Sequence, residues 1–266
     1  MNSPKLPIHQ WDLDLSIVVP ARNEEGNVYR LSREIEQAME SSPWSWECIW
    51  VDDGSTDATG KIVKQVCADD RRIGYVTLSR NYGQSIALLA GFYFARGDLL
   101  ATLDADGQND PRDLPVMVRE LVEKDVCMVN GVRSRRQDTL VKKVSSRIAN
   151  SFRNRLLGEH VTDIGCGIRV FQHECIEHLP HLRCMHRFLP TLVGLYGYSA
   201  MTEVPVNHRR RLSGKTKYSI NNRLWVGLID CLTIWWLRRR VVHPEVRERS
   251  IRRISRKGRK VWTQSG

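Results

Sequence analysis

The chain has 266 residues, enough for one large domain or one domain with an appendage, and its 41% hydrophobic content can fill a sizeable core. Its seven scattered cysteines are odd in number and include no Cys-x-x-Cys pair, which excludes a disulfide framework or a structural zinc site and fits a reducing compartment. The net charge of +11 is concentrated from Arg133 onward and calls for an anionic partner, namely nucleic acid, a membrane surface or a phosphorylated substrate, unless the basic tail is merely solvated.

Residues 1–13 are polar, hold Pro4 and Pro7, and lack the apolar core of a signal peptide. Leu15 to Pro20 reads as a buried strand stopped by proline and followed by the polar loop Ala21 to Gly26. Val28, Leu31, Ile35 and Met39 have helical spacing. Glu47 to Val51 is a second strand, ended by Asp52-Asp-Gly-Ser-Thr-Asp57, which caps a helix carrying Ile62, Val63 and Val66. A third strand spans Ile73 to Leu78, and the helix after it, Gln84 to Ala95, shows a small face of Ala87, Leu88, Gly91 and Ala95.

A fourth strand, Asp98 to Leu103, runs into Asp104-Ala-Asp106-Gly-Gln108-Asn-Asp110-Pro111, with three carboxylates in seven residues. Two carboxylates at i and i+2 can reach one hard cation together, and a carboxamide two further on can add an oxygen, a donor set that suits Mg²⁺ or Mn²⁺. Taken alone, the same residues also read as a polar turn before a helix, with Asp104 or Asp110 as a cap. Leu114 to Val122 is helical and Val126 to Val129 a strand. Alternating strands and helices predict a mostly parallel α/β sheet with the polar clusters at one edge. Neither a dinucleotide fingerprint nor a P-loop is present, so phosphate handling falls to a metal and basic side chains.

Beyond Asn130, Gly131 to Arg136 reads as a basic loop, Leu140 to Leu157 as a helix, Asp163 to Phe171 as a glycine-broken segment, His173 to Leu195 as two short helices, Met201 to Val206 as a strand, and Arg209 to Tyr218 as a second basic loop. His173, His178, His181 and His186 share no helical face and read as structural. Leu224 to Leu237 is apolar, with Trp225, Trp235 and Trp236 between Arg223 and Arg238-Arg-Arg240. As a helix it would reach about 21 Å, short of a bilayer core. It reads as an amphipathic helix on an anionic membrane surface, or as one docked on the core or on a partner.

Pro20-Ala-Arg-Asn-Glu-Glu25, Asp52-Asp-Gly-Ser55, Arg80 with Gly83, Gly97-Asp98 and Asp104-Ala-Asp106-Gly-Gln108 together resemble the family 2 glycosyltransferases. Asp163-x-x-Cys-Gly-x-Arg169 and Arg211-x-x-Gly-x-x-Lys217-Tyr218 look like the polyprenyl-phosphate and dolichyl-phosphate members. Cys166 stands where a serine is common. The resemblance implies a GT-A nucleotide-diphospho-sugar fold over 14–219, after the N-terminal extension 1–13; the apolar, arginine-flanked stretch reads as a membrane-interface helix over 220–242 and the charge run as a basic tail over 243–266. It implies an inverting transfer of one sugar from a UDP- or GDP-linked donor to polyprenyl phosphate. Pro20, Arg22, Glu24, Val51 and Asp53 would line the base and ribose, and Asp104, Ala105 and Asp106 the diphosphate, with Arg211 and Lys217 on the donor. Asp106 and Gln108, with Asp104 less directly, would hold Mg²⁺ or Mn²⁺. Arg133, Arg147 and Lys217 would meet the acceptor phosphate. Arg169 would hold Asp163 or a neighbouring loop, Asp110 would cap the helix after it, and Arg135, Arg136, Arg209, Arg210 and Lys215 would be solvated.

The transmembrane helices of many bacterial relatives are missing, which implies a peripheral protein on the cytoplasmic face of a bacterial membrane, or one leaning on a separate integral membrane protein. A second enzymatic reading, transfer to a sugar hydroxyl, needs a carboxylate general base, and Asp163 is the candidate. A nucleic-acid-binding reading is disfavoured, because the aromatics near the basic tail are not interleaved for base stacking. The intact acidic motifs speak against a silent scaffold.

Overall fold

The computed structural model describes residues 12–134, 153–158, 161–176, 179–209 and 220–241. Seven strands form one sheet: β1 (Leu13–Ala21), β2 (Trp46–Asp52), β3 (Ile73–Thr77), β4 (Gly97–Thr102), β5 (Met128–Arg133), β6 (Arg169–Gln172) and β7 (Met201–Val206), in the order β3-β2-β1-β4-β6-β5-β7. β1 pairs in parallel with β2 and β4, β2 with β3, and β5 with β7, while β6 runs antiparallel between β4 and β5. The parallel strands therefore all end at one edge, and β6 begins there. The chain builds outward from β1 to β3 and then returns to β4 on the other side of β1. The crevice at that reversal is where ligands of open α/β sheets bind.

Alternation in the strands sends side chains to two cores. Leu15, Ile17 and Val19 of β1 meet Val28, Leu31, Ile35 and Met39 of α1 (Glu25–Glu40), together with Val63 and Val66 of α2 (Thr59–Asp69) and Leu114, Met117, Val118 and Leu121 of α4 (Leu114–Lys124). Val18, Val51 and Leu100 face the opposite side, against α3 (Gln84–Phe94) and α5 (Leu189–Leu195). The small face expected of α3 has a steric cause: a Cβ on Gly91 would lie 2.3 Å from Val18 Cγ1 and 3.0 Å from Val51 Cγ2.

Three expectations change. Gly131 to Arg133 is the end of β5, paired with Val204 to Val206, not the start of a loop. The glycine-broken segment ends in a strand, β6, whose partners lie on β4 and β5. Between His173 and Leu195 only α5 is α-helical among the described residues, preceded by 3-10 turns at His173–Ile176 and Met185–Arg187.

Helix α6 (Ile220–Arg238) is docked along one face. Ile234 is fully buried, Cys231, Trp235 and Leu237 pack on the α3–α5 core, and Asp230 lies 3.8 Å from Arg187. Leu228, Ile229, Leu232 and Trp236 form a second, exposed stripe at helical spacing. Arg239 and Arg240 lie over the rings of Trp235 and Trp236. No helix among the described residues is long and apolar enough to cross a membrane.

Candidate active site

The end of β1 is clipped to the loop after β2. Asn23, at φ 51°, accepts from Thr56 N on its side chain and donates its own backbone N–H to Ser55 Oγ, while Glu24 N donates to Thr59 Oγ1 and Asn27 Nδ2 donates to Glu24 Oε2 at 2.7 Å. Pro20 lines the site cavity, Arg22 is exposed at the edge and Glu24 is buried.

Asp52 and Asp53 divide their work. Asp52 Oδ1 accepts from Ser55 N at 2.9 Å and closes the turn. Asp53 accepts from Tyr82 N at 2.7 Å, Gly83 N at 2.9 Å and Asn81 Nδ2 at 3.0 Å. The carboxylate expected to meet base or ribose thus ties the loop before α3 into the wall. Gly54 permits that approach, since at φ 64° its Cβ would lie 2.5 Å from the backbone of Arg80. Val51 is also corrected: its side chain is fully buried beneath α3 and does not line the groove.

Asp104, Ala105 and Asp106 leave the end of β4 in the middle of the edge. Asp104 Oδ1 accepts from Gln84 Nε2 at 2.8 Å, and its other oxygen presses on Gly167, where a Cβ would sit 1.9 Å away. Burial, and then the charge of Asp106, push the Asp104 carboxyl up to about 6. Asp106 is buried and its Oδ1 accepts from Gln108 N at 3.0 Å. A bridge between Asn109 and His208 brings His208 Nε2 to 3.5 Å from Gln108 Nε2. His208 is a residue that sequence reasoning missed, because only the pairing of β7's extension with the acidic loop places it there.

This set fits a divalent cation. Two crowded carboxylates, one half-buried and one buried, are stabilised by positive charge, and the Gln108 carboxamide follows on the same loop. Among the described residues no three His, Cys, Asp or Glu side chains could hold an ion. A cation here would thus keep positions for substrate oxygens, the usual arrangement for Mg²⁺ on phosphates.

Asp110 caps the turn at Pro111, accepting from Arg112 N at 3.1 Å, but it does more than cap. Arg209 reaches Asp110 Oδ1 at 2.5 Å and Glu34 Oε2 at 2.6 Å. Arg209 is therefore no solvated surface charge: it ties the end of β7 to α1 and to the acidic loop.

Arg133, at the end of β5, donates from Nε to Asp163 Oδ2 and from Nη2 to Asp163 Oδ1, both at 2.7 Å. The side chains are 18% and 5% exposed, so the fork is rigid and mostly desolvated. Asp163 also accepts from Gly165 N. A carboxylate so saturated is a poor general base, which overturns its candidacy for that role. Arg169 holds the neighbouring loop instead of Asp163, donating to Ile164 and His186 carbonyls at 2.9 Å. Arg147, Arg211 and Lys217 lie outside the described residues, as do Arg135, Arg136, Arg210, Lys215 and His178, and so does the side chain of Trp225.

A cavity of about 200 Å³ opens beside Asp104, on the side of the 164–167 loop, lined also by Pro20, Gln84, Arg169, His186 and Arg187. His186 is corrected from a structural residue to a wall of this cavity. His173, by contrast, is structural, bonded to Gly97 O at 2.8 Å.

The profile of the family described as Glycosyl transferase family 2 matches residues 16–179. The chain is 39% identical over 235 residues to the dodecaprenyl-phosphate galacturonate synthase of Rhizobium johnstonii, covering 87% of this chain and 69% of that protein. It is 37% identical over 229 residues to the undecaprenyl-phosphate 4-deoxy-4-formamido-L-arabinose transferase of Salmonella choleraesuis, covering 84% and 69%. Among solved structures, glucosyl-3-phosphoglycerate synthase from Mycobacterium tuberculosis, in complex with Mn²⁺, UDP and glucosyl-3-phosphoglycerate, superposes with a TM-score of 0.64 at 17% identity, over 87% of this chain and 82% of that one. A mannosyltransferase from Pyrobaculum calidifontis in complex with GDP-Man and Mn²⁺ gives a TM-score of 0.60 at 18% identity, over 90% and 67%. At such identities the solved structures show the fold, a GT-A-like one.

Proposed function

The chain belongs to glycosyl transferase family 2, and on that premise we propose that it moves one sugar from a nucleotide-diphosphate donor to a membrane polyprenyl phosphate, with inversion and with a divalent cation. The observation that carries this reading is the meeting, at one sheet edge, of the Asp104–Asp106 pair with the clamped Arg133. Acid groups suited to a metal–diphosphate stand beside a fixed cation suited to a second phosphate. Both polyprenyl-phosphate relatives support the acceptor class.

Asp106 and Gln108 would hold the cation, with Asp104 on the sugar side and His208 as a further nitrogen donor. Bound there, the cation supplies charge neutralisation for the departing diphosphate. Pro20, Arg22 and Glu24 form the nucleotide end, with Asp53 holding the loop behind it. Arg211 and Lys217 remain proposed donor contacts. Arg133, with Arg147 and Lys217, orients the acceptor phosphate. A phosphate oxygen already carries the attacking electron pair, so positioning and electrostatics suffice and no strong base is needed. The saturated Asp163 accords with that chemistry and not with transfer to a neutral hydroxyl.

The test is a panel of UDP- and GDP-sugars offered with polyprenyl phosphate, read by the mass of the lipid product. One donor is expected to add a single sugar in Mn²⁺ or Mg²⁺ and to add none in EDTA. A product formed equally well in EDTA would remove the cation from the reading.

The exposed stripe of α6 supports a peripheral site on an anionic leaflet, at the cytoplasmic face of a bacterial membrane. The arginines stacked on Trp235 and Trp236 would sit at headgroup level. Changing Leu228, Ile229, Leu232 and Trp236 to serine is expected to release the protein from anionic vesicles without lowering its unfolding temperature. Changing the core-facing Ile234 should do the reverse. Unaltered co-sedimentation of the fourfold variant would point to a partner protein on that stripe.

A further inference from the structure

His186 is held in one tautomer by Ser85. Ser85 Oγ donates its only proton to Arg183 O at 2.6 Å. The same oxygen lies 2.7 Å from His186 Nδ1 and 3.2 Å from His186 N. With its proton committed, Ser85 can only accept from the ring, so Nδ1 carries the hydrogen and Nε2 presents a lone pair. Burial, with Arg187 and Arg169 nearby, drives the ring's pKa down to about 3 and keeps it neutral. Nε2 has no hydrogen-bond partner among the described residues, and the ring lines the cavity beside Asp104. Ser85 is buried on the first turn of α3, the turn whose Gln84 holds Asp104. One helix terminus thus orients both the donor-side carboxylate and the imidazole.

We propose, resting on the transferase reading above, that His186 Nε2 accepts a hydrogen bond from a hydroxyl of the donor sugar, making His186 a specificity-determining residue and Ser85 its positioning residue. One cavity is lined by Pro20, at the proposed nucleotide end, by Asp104, and by the 164–167 loop with His186, so its His186 end is left for the sugar. An acceptor fixed there selects donors that present a hydrogen-bond donor at one ring position. A buried acceptor left unpaired penalises analogues that lack it.

Calorimetry on the whole chain separates this claim from the transferase reading, because donor binding can be read with no acceptor present. His186→Phe is expected to bind UDP or GDP with Mn²⁺ as the unaltered protein does. Its affinity for the nucleotide sugar that the unaltered protein binds most tightly should fall about tenfold. Among single-deoxy analogues of that sugar, one should bind about tenfold worse to the unaltered protein and no worse than its parent to His186→Phe. Equal weakening of nucleotide and nucleotide sugar, or undiminished discrimination against every deoxy analogue, would overturn the proposal. Imidazole ¹⁵N spectra of the unaltered protein supply a second reading that needs no variant to fold well. They should show His186 with Nδ1 protonated and Nε2 bare, and the Nε2 resonance should shift on adding nucleotide sugar but not on adding UDP or GDP. An Nε2 signal indifferent to the nucleotide sugar would equally overturn it. A chain that binds nucleotide sugar in this way yet glycosylates no polyprenyl phosphate would fail the acceptor reading and leave His186 standing.

Discussion

Replacing Asp106 by alanine is expected to lower sugar transfer by about a thousandfold while the protein stays folded. The two halves of that expectation have separate causes. The loss of transfer follows from the proposed cation site, where Asp106 is the buried carboxylate that accepts from Gln108 N. Retention of the fold follows from what Asp106 does in the chain by itself. Its bond from Gln108 N closes a local turn, worth about 1 kcal/mol, and its charge works against Asp104. Removing it costs the turn but relieves the repulsion. Asp106→Asn keeps the turn acceptor and should be as inactive. Manganese titration in the presence of UDP would show whether the ion has left with the carboxylate. Transfer near the unaltered rate would sink the assignment of the metal to this residue.

The acidic loop also shows which parts of the site are local in origin. Strand, turn and cap are written into a dozen consecutive residues, so the end of β4, the Asp104–Asp106 pair and the Asp110 cap follow from sequence. So do the buried face of α1 and the small face of α3, because both depend only on helical spacing. Parts that depend on distant partners do not follow. Nothing near Asp53 says that it, and not Asp52, will bind a loop about thirty residues on. β6 is only four residues long, and its alternation makes sense only once it lies between β4 and β5.

Charge and histidine spacing misled for the same reason. Arg209 belongs to a basic run and reads as solvated, yet its partners include Glu34, 175 positions away on α1. His186 fails every test of helical spacing with the other histidines, and its partner Ser85 is 101 positions away. In a parallel α/β sheet the site is assembled from strand ends far apart in sequence, so long-range pairing decides the roles of such residues.

Arg133 gives the second large effect, and it is one in which stability and chemistry must be disentangled. Arg133→Ala leaves Asp163 as a carboxylate whose side chain is only 5% exposed, without its two guanidinium bonds. Breaking a buried pair from one side costs about 3–5 kcal/mol, so the variant should unfold many degrees earlier. Transfer should fall with it, and that fall alone would say nothing of the acceptor. The double change Arg133→Met with Asp163→Leu buries neither charge, and replacing a whole pair by apolar groups is often neutral or better for stability. The double variant is therefore expected to regain most of the unfolding temperature and to bind UDP with Mn²⁺ normally. Its transfer to polyprenyl phosphate should remain about a hundredfold down, because the cation proposed to orient the acceptor phosphate is absent. Recovery of transfer along with stability would make the Arg133–Asp163 pair a strut of the fold, and the acceptor phosphate would have to be sought at other cations.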